Sequence, residues 1–210
     1  MIKVYIVDDH IIFREGLKRV IADTPDIEVA GEAGDGREAL QNILKNDYNL
    51  VLLDLALPGM EGLDVLRTLK EKRPKLPVLI LSMYAEEQYA VRVLKEGASG
   101  YLTKESVPND LIHAIRKAAA GARYVSQSLG EKLIGTLTGD QDKQPHETLS
   151  NREYQVFNMI AKGKSIKEIA HELSLARTTI TSFRARILDK MDLKTNADLI
   201  RYAIENKLTH

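Results

Sequence analysis

The chain has 210 residues, 44% hydrophobic and 29% charged, with 30 Lys+Arg against 30 Asp+Glu and neither Cys nor Trp. Such a length suits one large domain or two small ones, and the lack of cysteine excludes a disulfide scaffold, a Cys-based zinc site, an iron–sulfur cluster and a thiol nucleophile. The zero net charge hides an asymmetry: residues 148–210 hold 11 Lys+Arg and 7 Asp+Glu, whereas 1–147 hold 19 and 23, so the basic back is the candidate for nucleic acid.

Short apolar runs at Ile2–Val7, Ile27–Ala30, Leu50–Leu53, Val78–Leu81 and Tyr101–Leu102 read as strands. The first, stopped by Asp8-Asp9, is too short and too soon acidic for a signal peptide. No apolar run approaches the ~18 residues of a membrane span, so a cytoplasmic chain with no membrane contact is expected. Amphipathic stretches near 11–22, 36–46, 61–72, 86–96 and 106–120 separate the strands. Leu63, Leu66 and Leu69 recur there at helical spacing. Five strands alternating with five helices predict a doubly wound α/β unit, its parallel sheet covered on both faces. Residues 125–137 predict one more helix, and the polar, breaker-rich 138–148 a linker.

From Leu149 onward the signals are helical. Ser150-Asn-Arg-Glu153, Ser165-Ile-Lys-Glu168 and Thr195-Asn-Ala-Asp198 are capping-box patterns, so helices start near 151, 166 and 196. A fourth fills 177–191, with Ile180, Phe183 and Ile187 on its inner stripe. Four short helices form a small all-α unit. No internal repeat is present.

In an open parallel sheet, function collects beyond the carboxyl ends of the strands. Those ends carry Asp8-Asp9, Asp54, Ser82 and Tyr101-Leu-Thr-Lys104. Three converging carboxylates repel one another. A divalent cation resolves the conflict, and carboxylates with water suit Mg²⁺. Such a pocket suits phosphoryl transfer onto Asp54 as nucleophile, with Mg²⁺ and Lys104 holding the charge of the phosphoryl oxygens. Taken singly, Asp8 or Asp9 reads as a helix N-cap, Lys104 as a solvated side chain, Tyr101 as core and Pro58-Gly59 as any tight turn. The combination carries the argument.

Val7-Asp8-Asp9-His10, Asp54-Leu-Ala-Leu-Pro-Gly-Met-Glu-Gly62, Ser82 and Gly100-Tyr-Leu-Thr-Lys104 resemble the receiver domain of two-component response regulators over residues 1–120. The resemblance implies a flavodoxin-like receiver. Asp8 and Asp9 stand at the metal, with Asp54 as the phosphorylated residue and Ala56 giving a backbone carbonyl to the metal. Ser82 and Lys104 sit on the phosphoryl group, and Tyr101 rotates inward with Ser82. A sensor histidine kinase is the implied phosphodonor. His10 is read as a helix-start residue, and the five histidines show no ligand spacing.

Ile166–Leu173 and 177–191 fit the two helices of a helix–turn–helix. Residues 148–208 resemble the LuxR-type DNA-binding domain, and the whole chain the NarL/FixJ class. The expected organisation is a receiver over 1–120, a connecting helix and linker over 121–148, and the DNA-binding domain over 149–210. Thr178, Thr181, Ser182, Ala185 and Arg186 are expected to face double-stranded promoter DNA. Lys164, Lys167, Arg177, Arg184 and Lys190 surround them as phosphate-contact candidates. The family usually has Ser where Ala176 stands, Lys at Thr181 and His at Phe183. Loss of such a cap costs ~1 kcal/mol. The expected function is a DNA-binding transcriptional regulator, not an enzyme, that forms a homodimer on phosphorylation. A phosphatase or dehalogenase-type hydrolase fits less well, because the second aspartate of its D-x-D pattern is absent: His10 follows Asp8 at that spacing, and Ala56 follows Asp54. A nucleotide-binding regulator lacks its glycine-rich motif. A DNA-binding protein with a degenerate receiver conflicts with the intact pocket.

Overall fold

The structure, a computed structural model, describes residues 1–83, 86–126, 130, 144–173, 175–206 and 208, with 86–88, 108–109, 147 and 151 as backbone alone. The chain divides into two units, 1–137 and 138–210. Among the described residues no helix is long and apolar enough to cross a membrane.

The first unit alternates β1 (Ile2–Val7), α1 (Ile11–Ala22), β2 (Ile27–Ala33), α2 (Gly36–Lys45), β3 (Leu50–Asp54), α3 (Gly62–Lys72), β4 (Val78–Ser82), α4 (Glu86–Lys95), β5 (Gly100–Thr103) and α5 (Val107–Ala119). The strands form one parallel sheet in the order β2-β1-β3-β4-β5. Strands β3 and β4 are buried along their whole length, as continuous apolar runs covered on both faces must be. Val4, Ile6, Leu50, Leu52, Leu79 and Leu81 pack against Leu17 and Ile21 of α1 and Leu111 and Ile115 of α5. The residues between them point to the other face by the two-residue period of a strand. Because the strand order turns back between β1 and β3, a crevice opens beyond their carboxyl ends.

Two local differences from the sequence reading have physical reasons. Strand β2 continues past Ala30 to Ala33, because Gly31 leaves room for the ring of Tyr5; a Cβ there would lie 2.6 Å from Tyr5 Cε2. The Tyr5 hydroxyl then donates to the Glu32 carbonyl at 3.0 Å. Neither Asp8 nor Asp9 is the N-cap of α1. His10 holds that position, and Asp8 Oδ1 accepts its backbone N–H at 2.8 Å. Apart from residues 125, 126 and 130, the expected helix at 125–137 lies outside the described residues.

The second unit starts with a 3₁₀ turn at Pro145–Thr148, followed by α6 (Asn151–Ala161), α7 (Ile166–Glu172), α8 (Arg177–Lys190) and α9 (Asn196–Glu205). The end of the expected linker is therefore ordered: His146 Nδ1 lies 2.8 Å from the Tyr202 hydroxyl of α9. Phe157, Ile169, Ile180, Ile187, Leu199 and Ala203 fill the core. All three capping boxes are complete, at Ser150/Glu153, Ser165/Glu168 and Thr195/Asp198. Helix α8 starts at Ala176 with no side-chain cap.

Gly62 fixes how α3 meets the end of β3. A Cβ at Gly62 would stand 1.9 Å from the Asp54 carbonyl oxygen. Overpacking costs about 1–3 kcal/mol or more, so Gly62→Ala should lower the melting temperature of the first unit. Gly16, inside α1 with no atom within 4 Å of a built Cβ, should instead gain about 0.5–1 kcal/mol as alanine. Thermal melts of the two variants check this pair of opposite signs.

Candidate functional site

The ends of β1, β3, β4 and β5 bring Asp8, Asp54, Ser82 and Lys104 to one rim, all of them buried. Lys104 Nζ donates to Asp54 Oδ2 at 2.7 Å and lies 2.7 Å from Asp8 Oδ2. The second contact is a buried ion pair, and Asp8 Oδ2 has no partner other than this ammonium. The Lys104 backbone N–H donates to the Ser82 carbonyl at 2.8 Å, which locks the loop after β5 to the end of β4. The ammonium also lies 4.6 Å from the centroid of the Phe13 ring.

Lys104 is therefore not a solvated side chain, as it reads when taken singly. Two carboxylates draw its ammonium inward, leaving it 9% exposed. Burial works against that charge, but Asp54 and Asp8 outweigh it and raise the Lys104 pKa. Burial also dominates at Asp54 and raises its pKa. Lys104 opposes this, while the neighbouring Asp8 adds to it. The cluster thus carries more negative charge than one ammonium compensates.

Ligand atoms of Asp8, Asp9, His10 and Asp54 all lie within 4.8 Å of one another. The acidic residues, whose buried oxygens share a single ammonium, fit a hard divalent cation. His10 is the member that the sequence did not reveal: its Nδ1 sits 2.8 Å from Asp9 Oδ1 and 3.3 Å from Asp8 Oδ1. Only its adjacency to the aspartates signalled this. The Ala56 N–H donates to Asp54 Oδ1 at 3.1 Å. Tyr101 is buried, hence inward in this structure. Beside Lys104 opens an apolar cavity of about 500 Å³ lined by Ile12, Phe13, Leu17, Val20, Met83 and Val107. Ile12 and Met83 on its edge are 89% and 70% exposed.

In the second unit, α7 and α8 form a helix–turn–helix pair. Arg177, Thr178, Thr181, Ser182, Ala185 and Arg186 are exposed on α8, and Lys167 on α7. Three other basic candidates are paired with groups of the same domain. Lys190 Nζ lies 2.6 Å from Glu153 Oε2, the buried carboxylate of the first capping box. Arg184 Nε donates to Asn196 Oδ1 at 2.5 Å. Lys164 pairs with Glu172.

A doubly wound sheet with this carboxylate–lysine rim, followed by a helix–turn–helix unit, defines a receiver joined to a DNA-binding effector. The family model of the response regulator receiver domain matches residues 4–116, and that of the bacterial regulatory proteins of the luxR family matches 147–203. The response regulator UvrY of Escherichia coli strain K12 is 32% identical over 99% of this chain and 96% of its own length. The oxygen regulatory protein NreC of Staphylococcus epidermidis is 34% identical over 98% of both. RcsB from Salmonella enterica serovar Typhimurium, solved bound to promoter rprA in the presence of phosphomimetic BeF₃⁻, gives a TM-score of 0.66 at 25% identity over 96% of this chain and 97% of its own. The chain belongs to the NarL/FixJ-class two-component response regulators, transcriptional regulators that join a receiver to a LuxR-type DNA-binding domain.

Removing the ammonium leaves two buried carboxylates uncompensated. Lys104→Ala should therefore lose about 3–5 kcal/mol of stability in metal-free buffer, read from denaturant melts. A midpoint unchanged from wild type would contradict the ion-pair reading. The raised Asp54 pKa has the opposite sign. The folded chain keeps that proton to higher pH than the unfolded one, so this group's contribution declines as pH rises from about 4 through its elevated folded value. Asp54→Asn removes that decline. Without metal, its melting temperature should gain on wild type from about pH 4 to pH 7, and parallel profiles would count against it.

Proposed function

We propose that Asp54 is the phosphoacceptor of this regulator and that its phosphorylation by a sensor histidine kinase changes dimerisation and promoter binding. The carrying observation is the contact of Lys104 Nζ with Asp54 Oδ2 at 2.7 Å on the rim shared with Ser82. A lone pair of the Asp54 carboxylate attacks phosphorus. The bond from phosphorus to the imidazole nitrogen of the donor breaks, and that nitrogen later takes up a proton. Lys104, already beside the nucleophile, shifts from carboxylate to phosphoryl oxygens, and the Ser82 hydroxyl donates to the same group. Asp8, Asp9, Asp54 and the Ala56 carbonyl would hold Mg²⁺, which when bound neutralises phosphoryl oxygens. The same groups assist the slow loss of the phosphoryl group, an intramolecular role rather than turnover of a separate substrate. Tyr101 follows Ser82 as the switch that carries the change to the surface.

In this reading the receiver covers 1–120, the connector 121–148 and the DNA-binding domain 149–210, and the chain works in the cytoplasm as a homodimer when phosphorylated. Helix α8 enters the major groove with Thr178, Thr181, Ser182 and Ala185 toward the bases and Arg186 on the same outward face at its edge, within reach of the phosphates. Lys167 and Arg177 contact phosphates, as do Lys164, Arg184 and Lys190 where their internal pairs open. The RcsB complex with promoter DNA supports this docking by likeness of fold.

Incubation with a labelled small phosphodonor and Mg²⁺ should give an acid-labile adduct on wild type and none on Asp54→Asn, since an amide is no nucleophile. Equal labelling would overturn the assignment. Binding to duplex DNA should weaken with salt by about 0.9 in log K per unit log salt for each phosphate neutralised. A flat response would remove the DNA role.

A further inference from the structure

The exposed face of α8 is chemically narrow. Between Arg177 and Arg186, the exposed side chains are Thr178, Thr181, Ser182 and Ala185. None is Arg, Lys, Asn or Gln, the types that form two hydrogen bonds to a guanine or adenine edge. Arg184, in the same stretch, is half-buried and tied to Asn196. The two hydroxyls of the middle turn are restricted further. Thr181 Oγ1 donates to the Arg177 carbonyl at 2.9 Å, and Ser182 Oγ donates to the Thr178 carbonyl at 3.0 Å. A hydroxyl carries one hydrogen. With it committed to the helix backbone, each oxygen offers an approaching partner only lone pairs.

Apart from the Thr178 hydroxyl, the face therefore presents acceptors and methyl groups, the latter from Thr178, Thr181 and Ala185. At 3.6 residues per turn, Thr178, Ser182 and Ala185 share one line along the helix with Thr181 beside it. In the major groove, a methyl group meets the C5 methyl of thymine, and an acceptor oxygen meets the amino group of adenine or cytosine. Guanine offers O6 and N7, both acceptors, which would lose water and find on this stripe at most the single hydrogen of the Thr178 hydroxyl. From Thr178 to Ala185 the helix rises about 10 Å, the length of about three base pairs at 3.4 Å each. Asp189, exposed and in line with Ser182 and Ala185, limits the contact on the far side, because its carboxylate repels phosphate. Arg177 and Arg186 flank the stripe where phosphate rows run.

We propose that α8 reads each half-site through thymine methyl groups, selecting A·T pairs and disfavouring guanine on the contacted strand over about three positions. This rests on the reading of α8 as the groove-entering helix. It names the chemistry of the bases that α8 accepts: thymine methyls and amino-group donors, with Thr178, Thr181 and Ala185 as specificity-determining residues.

The test uses the full chain, with and without Mg²⁺ and beryllofluoride, to enrich duplexes from a random pool. Thymines of the enriched half-site are then replaced one at a time by uracil, which lacks only the C5 methyl. Uracil should weaken binding about fourfold at two or three neighbouring positions, the worth of one buried methyl. Thr181→Ser and Thr178→Ser keep a hydroxyl at exposed positions and remove only a methyl. In each variant the uracil effect should vanish at one position and persist at the others, the coupling expected of groups in contact. Guanine enriched at those positions, uracil without effect at every thymine, or an effect that persists unchanged in both serine variants overturns the inference while DNA binding stands. Failure to enrich any duplex in either condition overturns the DNA-binding reading itself, and this inference with it.

Discussion

One ammonium holds the receiver's rim together. Lys104 follows β5, Asp8 follows β1 and Asp54 ends β3, and the three meet at 2.7 Å. Charges this deeply buried are tolerated only when paired, so the register of those strands is tied to an electrostatic requirement as well as to apolar packing. The pairing is also incomplete. Two buried carboxylates share one cation, and Asp9 adds a third negative group within the cluster. A site in this condition gains from any added positive charge and from any change that draws Lys104 off its carboxylates onto a new anion. The same imbalance that loads the apo rim makes it receptive to a metal ion and to phosphoryl oxygens.

The helical unit handles its charges differently. Glu153 is buried, yet its carboxylate accepts the Ser150 N–H at 2.7 Å and the Lys190 ammonium at 2.6 Å. Those contacts outweigh the penalty of burial and hold its pKa below the usual carboxylate range. One residue thus caps α6 and anchors the far end of α8. Part of the positive charge of this domain is in consequence structural, and the charge free to meet phosphates is smaller than the count of Lys and Arg implies.

The sequence carried the element order, the capping boxes and the identities at the strand ends, because each has a short-range cause: period, cap or breaker. It did not carry depth. Lys104 sits at the end of a strand by pattern, but whether its ammonium faces water depends on Asp8 and Asp54, distant in sequence. The internal pairs of Lys190 and Arg184 were not legible either, because their partners, Glu153 and Asn196, lie elsewhere in the chain. Strand β2 seemed to end at Ala30 because Gly31 and Glu32 break the apolar run; what they answer to is the ring and hydroxyl of Tyr5. His10 read as a helix start, which it is, but its approach to Asp9 depends on a rotamer that no pattern encodes.

Three of the four helices in the second unit open with a reciprocal side-chain lock, and α8 opens on Ala176 with none. Among these four helix starts, only that of α8, the helix proposed to enter the groove, lacks a side-chain cap. Segments with few restraints open locally at low free energy, so the first turn of α8 samples frayed states in the unbound chain. Ordering it on contact subtracts conformational entropy from every encounter. A poorly matched duplex returns little for that ordering and is released quickly, whereas a matched one holds the turn in place. The missing cap therefore subtracts the same free energy from right and wrong sites, so that only a duplex with contacts to spare holds the chain for long.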